Sequence, residues 1–398
     1  MPDRAIFHCD CNGFFASVEE TFHPEYKKVP MAVAGDPANR HGIILAKNEL
    51  AKKYGIRTAE TIHSAKQKCP QLLLCPPRHG AYSEFCGRIN AIYESYTDQV
   101  ERFSIDESFL DMTFFGRDAP AMADEIRRRV ARETGVTISV GVSWNKIYAK
   151  MGSEYKKPDA VTVIDRGNYR QILWPMPVGE LFMVGRSTAA ALEKFGIHTI
   201  GDLAGASEAF LRQQFGKMSE YLHSSANGLY DSPVAWMDTH GPVKSIGNGI
   251  TFRRDLTGEQ DIRTGLMVLA DNVAARMRRA GVKCATVQVT IKDTALKSIT
   301  RQKTVPPTCL AADLAQACLD LIRASWPPGK PIRLLTVTAQ NLTPADEVAE
   351  QLSLFETPRT AKNTEQLERA VDGIREKYGG RSILHGSVLG NDLGVYAG

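Results

Sequence analysis

Two short apolar runs in this sequence meet carboxylates, and this pattern constrains the fold more than any other. Residues 5–9 (AIFHC) lead directly into Asp10, while predicted strands flank the adjacent pair Asp106 and Glu107 on both sides. Short apolar runs bounded by turns are typical of buried strands. Carboxylates are hard oxygen ligands, and Mg²⁺ prefers a few of them together with substrate phosphates. The sequence therefore predicts a sheet whose strand ends gather these three carboxylates into a magnesium site.

The segment after Asp10 argues against a surface turn, which an acidic pair alone more often marks. Residues 11–19 (CNGFFASVE) predict a tight turn that carries Phe14 and Phe15 into a helix. The start of a helix offers backbone N–H groups to phosphate oxygens. Two metal ions held together stabilise the attacking and leaving oxygens of a phosphoryl displacement. The segment therefore favours phosphoryl-transfer chemistry.

Length and composition allow several domains and give no indication of a membrane protein. The chain has 398 residues, of which 43% are hydrophobic, so two to four domains with packed cores are expected. No run approaches the roughly 20 apolar residues of a membrane helix. The eight cysteines show no paired metal-ligand spacing and are predicted to be reduced thiols. We therefore expect a cytoplasmic protein without a membrane partner.

The order of predicted elements indicates an α+β protein with several domains. Up to about residue 164, strands and helices predict a mixed sheet with helices on one side. Residues 169–232 are mostly helical, and their glycine spacing resembles a helix-hairpin-helix, although an ordinary αα-hairpin remains open. Residues 243–343 predict the order β-α-β-β-α-β of a split βαβ domain.

Positive charge is concentrated in the last of these regions. Residues 243–343 contain fifteen Lys or Arg and seven Asp or Glu, whereas the net charge of the whole chain is only +4. A local excess of eight positive charges can bind a phosphate backbone or can form a solvated basic face. Charge alone does not separate these two interpretations.

Two segments resemble the signature motifs of Y-family DNA polymerases, particularly those of the bacterial translesion type. The segments are residues 7–19 (FHCDCNGFFASVE) and 104–111 (SIDESFLD), and the resemblance extends from about residue 5 to about residue 355. It implies a multidomain right-hand polymerase. The implied domains are a palm (1–10 and 78–168), fingers (11–77), a helix-hairpin-helix thumb (169–235), a little finger (243–345) and a tail (346–398).

The resemblance also implies roles for individual residues. Asp10, Asp106, Glu107 and the Cys11 carbonyl would hold two Mg²⁺ ions, and Glu107 would be the catalytic carboxylate beside the primer hydroxyl. Phe15 matches the steric gate that excludes ribonucleotides. The implied nucleotide-binding residues are Phe14, Phe15, Lys52 and Lys157. The candidate DNA-binding residues are Gly185, Lys244, Arg253, Arg254 and Arg301.

The sequence departs from the family pattern in the fingers segment. Residues 48–53 (NELAKK) place Glu49 and Lys52 where the family usually has Tyr and Arg. Lysine keeps the positive charge but loses the bidentate fork of arginine. Glu49 would repel a triphosphate unless it turns away or meets a cation. We therefore expect weaker nucleotide binding, or compensation by Lys47 or Lys53.

The tail contains a short apolar motif at residues 351–355 (QLSLF). It resembles the peptide that bacterial polymerases insert into the sliding clamp, in which two apolar side chains fill a pocket and Gln351 orients the peptide. The clamp-binding residues that the resemblance implies are Gln351, Leu352, Leu354 and Phe355. Residues 363–378 predict a charged helix.

These observations predict a monomeric, Mg²⁺-dependent DNA polymerase for low-fidelity translesion synthesis without proofreading, associated with the nucleoid when active. Its partners would be primer-template DNA, a dNTP and the clamp. A catalytically weak DNA- and clamp-binding accessory protein is the first alternative, supported only by Glu49 and Lys52. A palm-type nucleotidyl cyclase is the second. Activity that requires both primer and template would separate the polymerase from both alternatives.

Overall fold

The computed structural model describes residues 3–35, 42–115, 118–237, 239, 241–348 and 359–395. The chain divides near residue 240 into two compact units. In the first unit, the strands are β1 (Ile6–Cys11), β2 (Met31–Ala34), β3 (Ile44–Lys47), β4 (Leu73–Cys75), β5 (Val100–Arg102), β6 (Glu107–Asp111), β7 (Ile138–Ser143) and β8 (Val161–Val163).

The helices of the first unit separate and cover these strands. They are α1 (Phe14–Phe22), α2 (Glu49–Lys53), α3 (Ile62–Lys68), α4 (His79–Glu94), α5 (Ala119–Thr134), α6 (Lys146–Tyr155), α7 (Tyr169–Leu173), α8 (Arg186–Glu193), α9 (Ile200–Gly205), α10 (Glu208–Phe215) and α11 (Met218–Ala226). Short 3-10 helices span Pro24–Lys28, Thr113–Phe115 and Val178–Glu180.

The larger sheet of the first unit has the strand order β5-β6-β1-β7-β8, with β1 antiparallel to both neighbours and β7 parallel to β8. A smaller sheet has the order β3-β2-β4. The larger sheet holds the predicted metal ligands of β1 and β6. The smaller sheet lies in the segment predicted to be the fingers.

Helices cover both faces of the larger sheet, so the prediction of helices on one side is wrong. All six residues of β1 are buried. Phe7 and Cys9 share a core with α4 and α5, whereas Ile6 packs in a cluster with Ala149 of α6. A strand that is covered on both faces forms a nearly continuous apolar run, as residues 5–9 do. The run therefore contained the signal for two covered faces.

Gly141 allows α6 to approach β7 very closely. A Cβ at this position would lie 1.8 Å from the carbonyl oxygen of Ala149 and 2.4 Å from the backbone nitrogen of Ser153. Any side chain at this position would therefore push the helix away from the sheet. Gly141 lies on β7 directly beside His8 of the neighbouring strand β1. The contact therefore also sets how closely α6 packs over β1.

The helical part of the first unit has its own core, which includes Leu173, Leu192, Leu203 and Leu222. A turn containing Gly196, whose φ is 77°, joins α8 to α9. Thr199 and Asp202 form a capping box at the start of α9. The predicted glycine-punctuated helix pair is thus present.

The second unit has the predicted β-α-β-β-α-β order, followed by one more helix. Its elements are β9 (Ser245–Leu256), α12 (Glu259–Arg279), β10 (Val282–Lys292), β11 (Ser298–Thr308), α13 (Ala311–Ser325), β12 (Ile332–Pro344) and α14 (Arg359–Tyr378), with a 3-10 turn at Gly386–Val388. The sheet is antiparallel, with the order β11-β10-β12-β9. Both α12 and α13 contribute to its core.

Residues 359–395, which the sequence analysis assigned to a tail, pack onto the second unit. Val388, Leu393 and Val395 are part of its core. Helix α14, which includes the predicted charged helix, forms ion pairs with α12 through Glu368 and Asp372. The segment is therefore attached both by apolar side chains and by charged ones, and a sequence alone does not distinguish such charged side chains from solvated ones.

Arg278 of α12 is the centre of this attachment, and replacing it with alanine is expected to release α14. Its side chain is 2% exposed, and its Nε donates to Asp372 at 2.7 Å. Breaking a buried ion pair typically costs about 3–5 kcal/mol. We therefore expect Arg278→Ala to lower the melting temperature and to accelerate hydrogen exchange throughout α14. Arg323→Ala is the matched control because its pair with Glu259 is exposed and is worth at most about 1 kcal/mol. Equal exchange in both variants would contradict this role.

Candidate active site

The backbone of the larger sheet brings the three predicted metal ligands together. Asp10 is the register partner of Glu107 across β1 and β6. The N–H of Cys11 donates to the carbonyl oxygen of Asp106 at 3.0 Å. The Asp106-Glu107 pair therefore lies directly beside Asp10, as the sequence predicted.

These residues line a cavity of about 450 Å³ within the first unit. The predicted nucleotide-binding residues line the same cavity. The lining residues are Asp10, Cys11, Asn12, Gly13, Phe14, Phe15, Leu45, Ala46, Lys47, Glu49, Lys52, Thr58, Asp106, Glu107, Glu154 and Lys157. A cavity of a few hundred cubic ångströms is the size expected for a small-molecule site.

Asp10 is buried and paired with a lysine. Its Oδ1 lies 2.7 Å from Nζ of Lys157, which also lies 2.7 Å from Oε1 of Glu154. Burial raises the pKa of Asp10 to about 7, and the attraction of Lys157 opposes that increase. A buried carboxylate needs a cation to stay ionised, so this position favours binding of a cation.

Glu107 receives two donors on a single oxygen. Nε2 of His8 lies 3.2 Å from Oε2 of Glu107, and Nζ of Lys150 also donates to Oε2. Burial raises the pKa of Glu107, but the hydrogen bonds from His8 and Lys150 outweigh it and lower this pKa to about 2. Burial also lowers the pKa of His8 to about 4. At neutral pH, Glu107 is therefore ionised and His8 is neutral.

The donor set suits a divalent cation. Three carboxylates and the Cys11 carbonyl are hard oxygen donors, which Mg²⁺ prefers. Asp10, which is buried, and Glu107, which is partly buried, each already attract an ammonium group. Among the described residues, no group of three acidic, His or Cys side chains converges as a ligand cluster in the present rotamers. Metal binding therefore requires the two lysines to release these carboxylates.

Phe15, the predicted steric gate, is held by an aromatic and ionic network. Its ring stacks on Tyr82 with centroids 4.2 Å apart and planes 10° apart. The hydroxyl of Tyr82 donates to Glu19 at 2.7 Å, and Arg78 also donates to Glu19. Phe14, by contrast, is 3% exposed and belongs to the core below the sheet. Its side chain is therefore part of the core, although the residue also borders the cavity.

The unusual pair Glu49 and Lys52 lies at the cavity wall. Nζ of Lys52 is 3.6 Å from Oε1 of Glu49, and both side chains are about half exposed. Lys47 borders the same cavity and donates to Thr58 at 3.2 Å. Glu49 thus meets a cation, as the sequence analysis required, but the pairing reduces the positive charge that Lys52 presents to the cavity.

The candidate DNA-binding residues have different environments. Gly185 is exposed immediately before α8, Lys244 is exposed immediately before β9, and Arg301 is exposed on β11. The backbone N–H of Arg253 donates to Leu393. Arg254 forms ion pairs with Asp261 and Asp392 at 2.5 and 2.7 Å. The candidate clamp-binding residues Gln351, Leu352, Leu354 and Phe355 lie outside the described residues.

The sequence analysis missed four residues that surround the predicted ones: His8, Tyr82, Ser153 and Glu154. Only His8 could have been predicted from the sequence. Residues two apart on a strand share a face, and His8 precedes Asp10 by two. The other three come from α4 and α6. Their proximity to the site depends on how those helices pack.

Comparison with known proteins identifies the family of the chain. The model of the impB/mucB/samB family matches residues 9–154, and the C-terminal domain of the same family matches residues 243–354. The chain belongs to this family, whose nucleotidyl transfer depends on divalent cations. The resemblance to Y-family DNA polymerases is thereby confirmed.

Curated relatives named DNA polymerase IV match almost the whole chain. The protein from Acetivibrio thermocellus is 44% identical over 97% of this chain and 98% of its own length. The one from Moorella thermoacetica is 39% identical over 100% of this chain and 98% of its own length. A solved Y-family DNA polymerase chimera shares the fold, with a TM-score of 0.75 and 23% identity over 85% of this chain and 99% of its own. Among the described residues, no helix is long and apolar enough to span a membrane.

Proposed function

We propose that this protein performs low-fidelity translesion DNA synthesis by a two-metal mechanism, without proofreading. The broader class, a DNA-directed DNA polymerase, follows from the family and its relatives. The observation that carries the finer proposal is the pairing of Asp10 with Glu107 beside a cavity that also holds Phe15 and Lys157. This arrangement combines acidic metal ligands, a ring for the sugar and a cation for the triphosphate.

In this mechanism, Asp10, Asp106, Glu107 and the Cys11 carbonyl would hold two Mg²⁺ ions. Bound there, these ions would supply charge neutralisation and would lower the pKa of the primer 3′-hydroxyl. Glu107 stays ionised because His8 and Lys150 lower its pKa.

The remaining cavity residues bind and orient the incoming dNTP. Lys157 and Lys52 neutralise the triphosphate, and the N–H groups at the start of α1 donate to phosphate oxygens. The Phe15 ring packs against the sugar. Positioning and charge neutralisation are the main contributions that a protein makes to phosphoryl transfer.

The translesion proposal rests on the small fingers segment, residues 11–77. Its three-stranded sheet has a small core, which includes Ala32, Ala34, Ala51 and Ala65 beside Ile44, Ile56, Cys69 and Leu72. Fingers of this size would close loosely over the nascent base pair, and loose closure tolerates damaged templates.

We also propose that the protein is a monomer and that Gly185, Lys244 and Arg301 contact the DNA backbone. Arg253 and Arg254 of the second unit would also contribute to DNA binding. Residues 351–355 would bind the sliding clamp.

Primer extension tests this function. Wild-type protein is supplied with Mg²⁺ and single dNTPs on an undamaged template and on one with an abasic site, beside Asp106→Ala. We expect distributive extension on both templates, frequent misincorporation and no extension by the variant. A wild-type protein that binds primer-template but does not extend it would instead support the clamp-associated accessory protein.

Glu49→Gln is expected to lower the KM for dNTP several-fold while kcat stays nearly constant. The substitution removes a negative charge from the cavity wall and frees Lys52 from its pair. A change of one unit charge near a partly exposed site is worth about 1 kcal/mol, which is about fivefold in affinity. Steady-state kinetics provide the measurement. Glu84→Gln removes the same charge from an exposed site on α4 outside the cavity and should leave KM unchanged; an equal effect of both variants would argue against a local role for Glu49.

A further inference from the structure

His8 is a buried histidine whose two ring nitrogens face two different elements of the active site. Its Nε2 lies 3.2 Å from Oε2 of Glu107 on β6, and its Nδ1 lies 2.7 Å from Oγ of Ser153 on α6. His8 and Ser153 are 0% and 1% exposed, and neither borders the cavity. His8 therefore cannot touch a nucleotide and must act through Glu107.

The two hydrogen-bond contacts of the His8 ring constrain its donors and acceptors. An ionised carboxylate only accepts hydrogen bonds, so Nε2 of His8 must carry the proton that faces Glu107. A neutral imidazole has one N–H, which leaves Nδ1 as an acceptor. The Ser153 hydroxyl lies 2.7 Å from Nδ1 and 2.8 Å from the carbonyl oxygen of Lys150, and its one proton can be donated to only one of these two acceptors. When Nδ1 is unprotonated, the hydroxyl donates to the ring and holds Nε2–H toward Glu107.

Packing holds the ring in this orientation. The His8 ring lies 4.6 Å from the Phe109 ring, with 57° between the planes. Gly141, the register partner of His8, lets α6 lie close enough for Ser153 to reach the strand. The hydrogen-bonded chain is therefore built into the packing of α6 on the sheet.

Both donors to Glu107 use the same oxygen. Nε2 of His8 and Nζ of Lys150 contact Oε2, and within the described residues no hydrogen bond reaches Oε1. Glu107 borders the cavity, so the carboxylate is anchored through one oxygen and has the other available as a metal ligand. Partners that hydrogen-bond to a metal-ligating carboxylate orient it and tune its affinity for the metal.

We propose that His8 and Ser153 are positioning residues for Glu107, which they hold so that Oε1 is presented to the metal. The inference rests on the proposed function of Glu107 as a metal ligand. When a lysine releases Oε2, His8 keeps the carboxylate in place. The position of the Glu107 carboxylate then does not depend on Lys150.

Substitutions at position 8 separate hydrogen bonding from packing. Glutamine places its amide nitrogen near the position of Nε2 and can still donate to Glu107. Asparagine places its polar atoms near Nδ1, so it can contact Ser153 but cannot reach Glu107. His8→Asn is expected to weaken Mn²⁺ binding and to lower kcat, each by about 10- to 100-fold. His8→Gln should restore most of both, and the KM for dNTP should stay unchanged in each variant.

Mn²⁺ affinity is measured by electron paramagnetic resonance on the full chain without DNA, and kcat and KM by primer extension. Thermal unfolding checks that the variants are folded. Wild-type Mn²⁺ affinity in His8→Asn, or equal losses in His8→Asn and His8→Gln, would overturn the proposal in favour of simple packing. If both variants unfold, Ser153→Ala alone tests the proposal. Unchanged Mn²⁺ affinity and kcat in this variant would refute the positioning role. If the wild-type protein binds Mn²⁺ but extends no primer, the polymerase proposal is refuted, while the positioning of Glu107 by His8 and Ser153 can still be judged from Mn²⁺ affinity.

Discussion

Glu107→Gln is expected to lower kcat for primer extension by at least about 10³-fold, with little change in the affinity for primer-template. The amide keeps the shape of the side chain and can still accept from Lys150, but it loses the charge that attracts a metal ion. Metal-ion stabilisation of a phosphoryl transition state is worth several kcal/mol, and about 4 kcal/mol corresponds to 10³-fold in rate. Single-turnover extension at saturating dNTP measures the effect. DNA binding, measured separately by fluorescence anisotropy, should not change.

Asp111→Asn is the matched control because it removes a charge from the same strand. Asp111 is buried and does not border the cavity, and its Oδ2 lies 3.1 Å from Nη2 of Arg4. This substitution should lower the melting temperature and leave kcat nearly intact. Equal losses of kcat in the two variants would mean that Glu107 acts through the stability of the sheet and not through the metal.

The larger features of the fold were predictable because they depend on local pattern. The strand before Asp10, the acidic turn before β6 and the element order of the second unit all follow from periodicity and turn residues. The second face of the larger sheet and the packing of residues 359–395 were not predicted. Both depend on contacts between distant segments, such as α6 over Gly141 and Arg278 with α14.

The site shows the same division between local and distant information. Asp10, Asp106 and Glu107 could be chosen from the sequence because strand ends place carboxylates predictably. Lys157 was also chosen, as a triphosphate contact, but its effect on Asp10 and that of Lys150 on Glu107 could not be predicted, since both lysines resemble solvated ones. Their importance comes from ion pairs across the fold to Glu107 and Asp10. Glu49 is a mixed case, because its unusual identity was visible but its pairing with Lys52 required the structure.

Phe15→Ala is expected to increase ribonucleotide use relative to deoxynucleotide use by about 100-fold. The Phe15 ring borders the cavity and stacks on Tyr82, so it forms a fixed wall where the sugar would lie. Forcing an extra group against a well-packed wall costs about 1–3 kcal/mol, and the upper end of that range corresponds to about 100-fold. The measurement is the ratio of kcat/KM for each ribonucleotide to that of its deoxynucleotide.

Tyr82→Leu should produce an intermediate increase, because it leaves Phe15 in place but removes the ring against which it stacks. Aromatic pairs contribute about 0.5–1.5 kcal/mol beyond their buried area, which predicts an increase of about 2- to 12-fold. Phe85→Leu is the control for loosening α4, since Phe85 is buried on the same helix and does not border the cavity. Ribonucleotide use should rise in the order Phe85→Leu, Tyr82→Leu, Phe15→Ala. If Tyr82→Leu matched Phe85→Leu, the wall would depend on Phe15 alone, and the stacked pair would have no role in sugar selection.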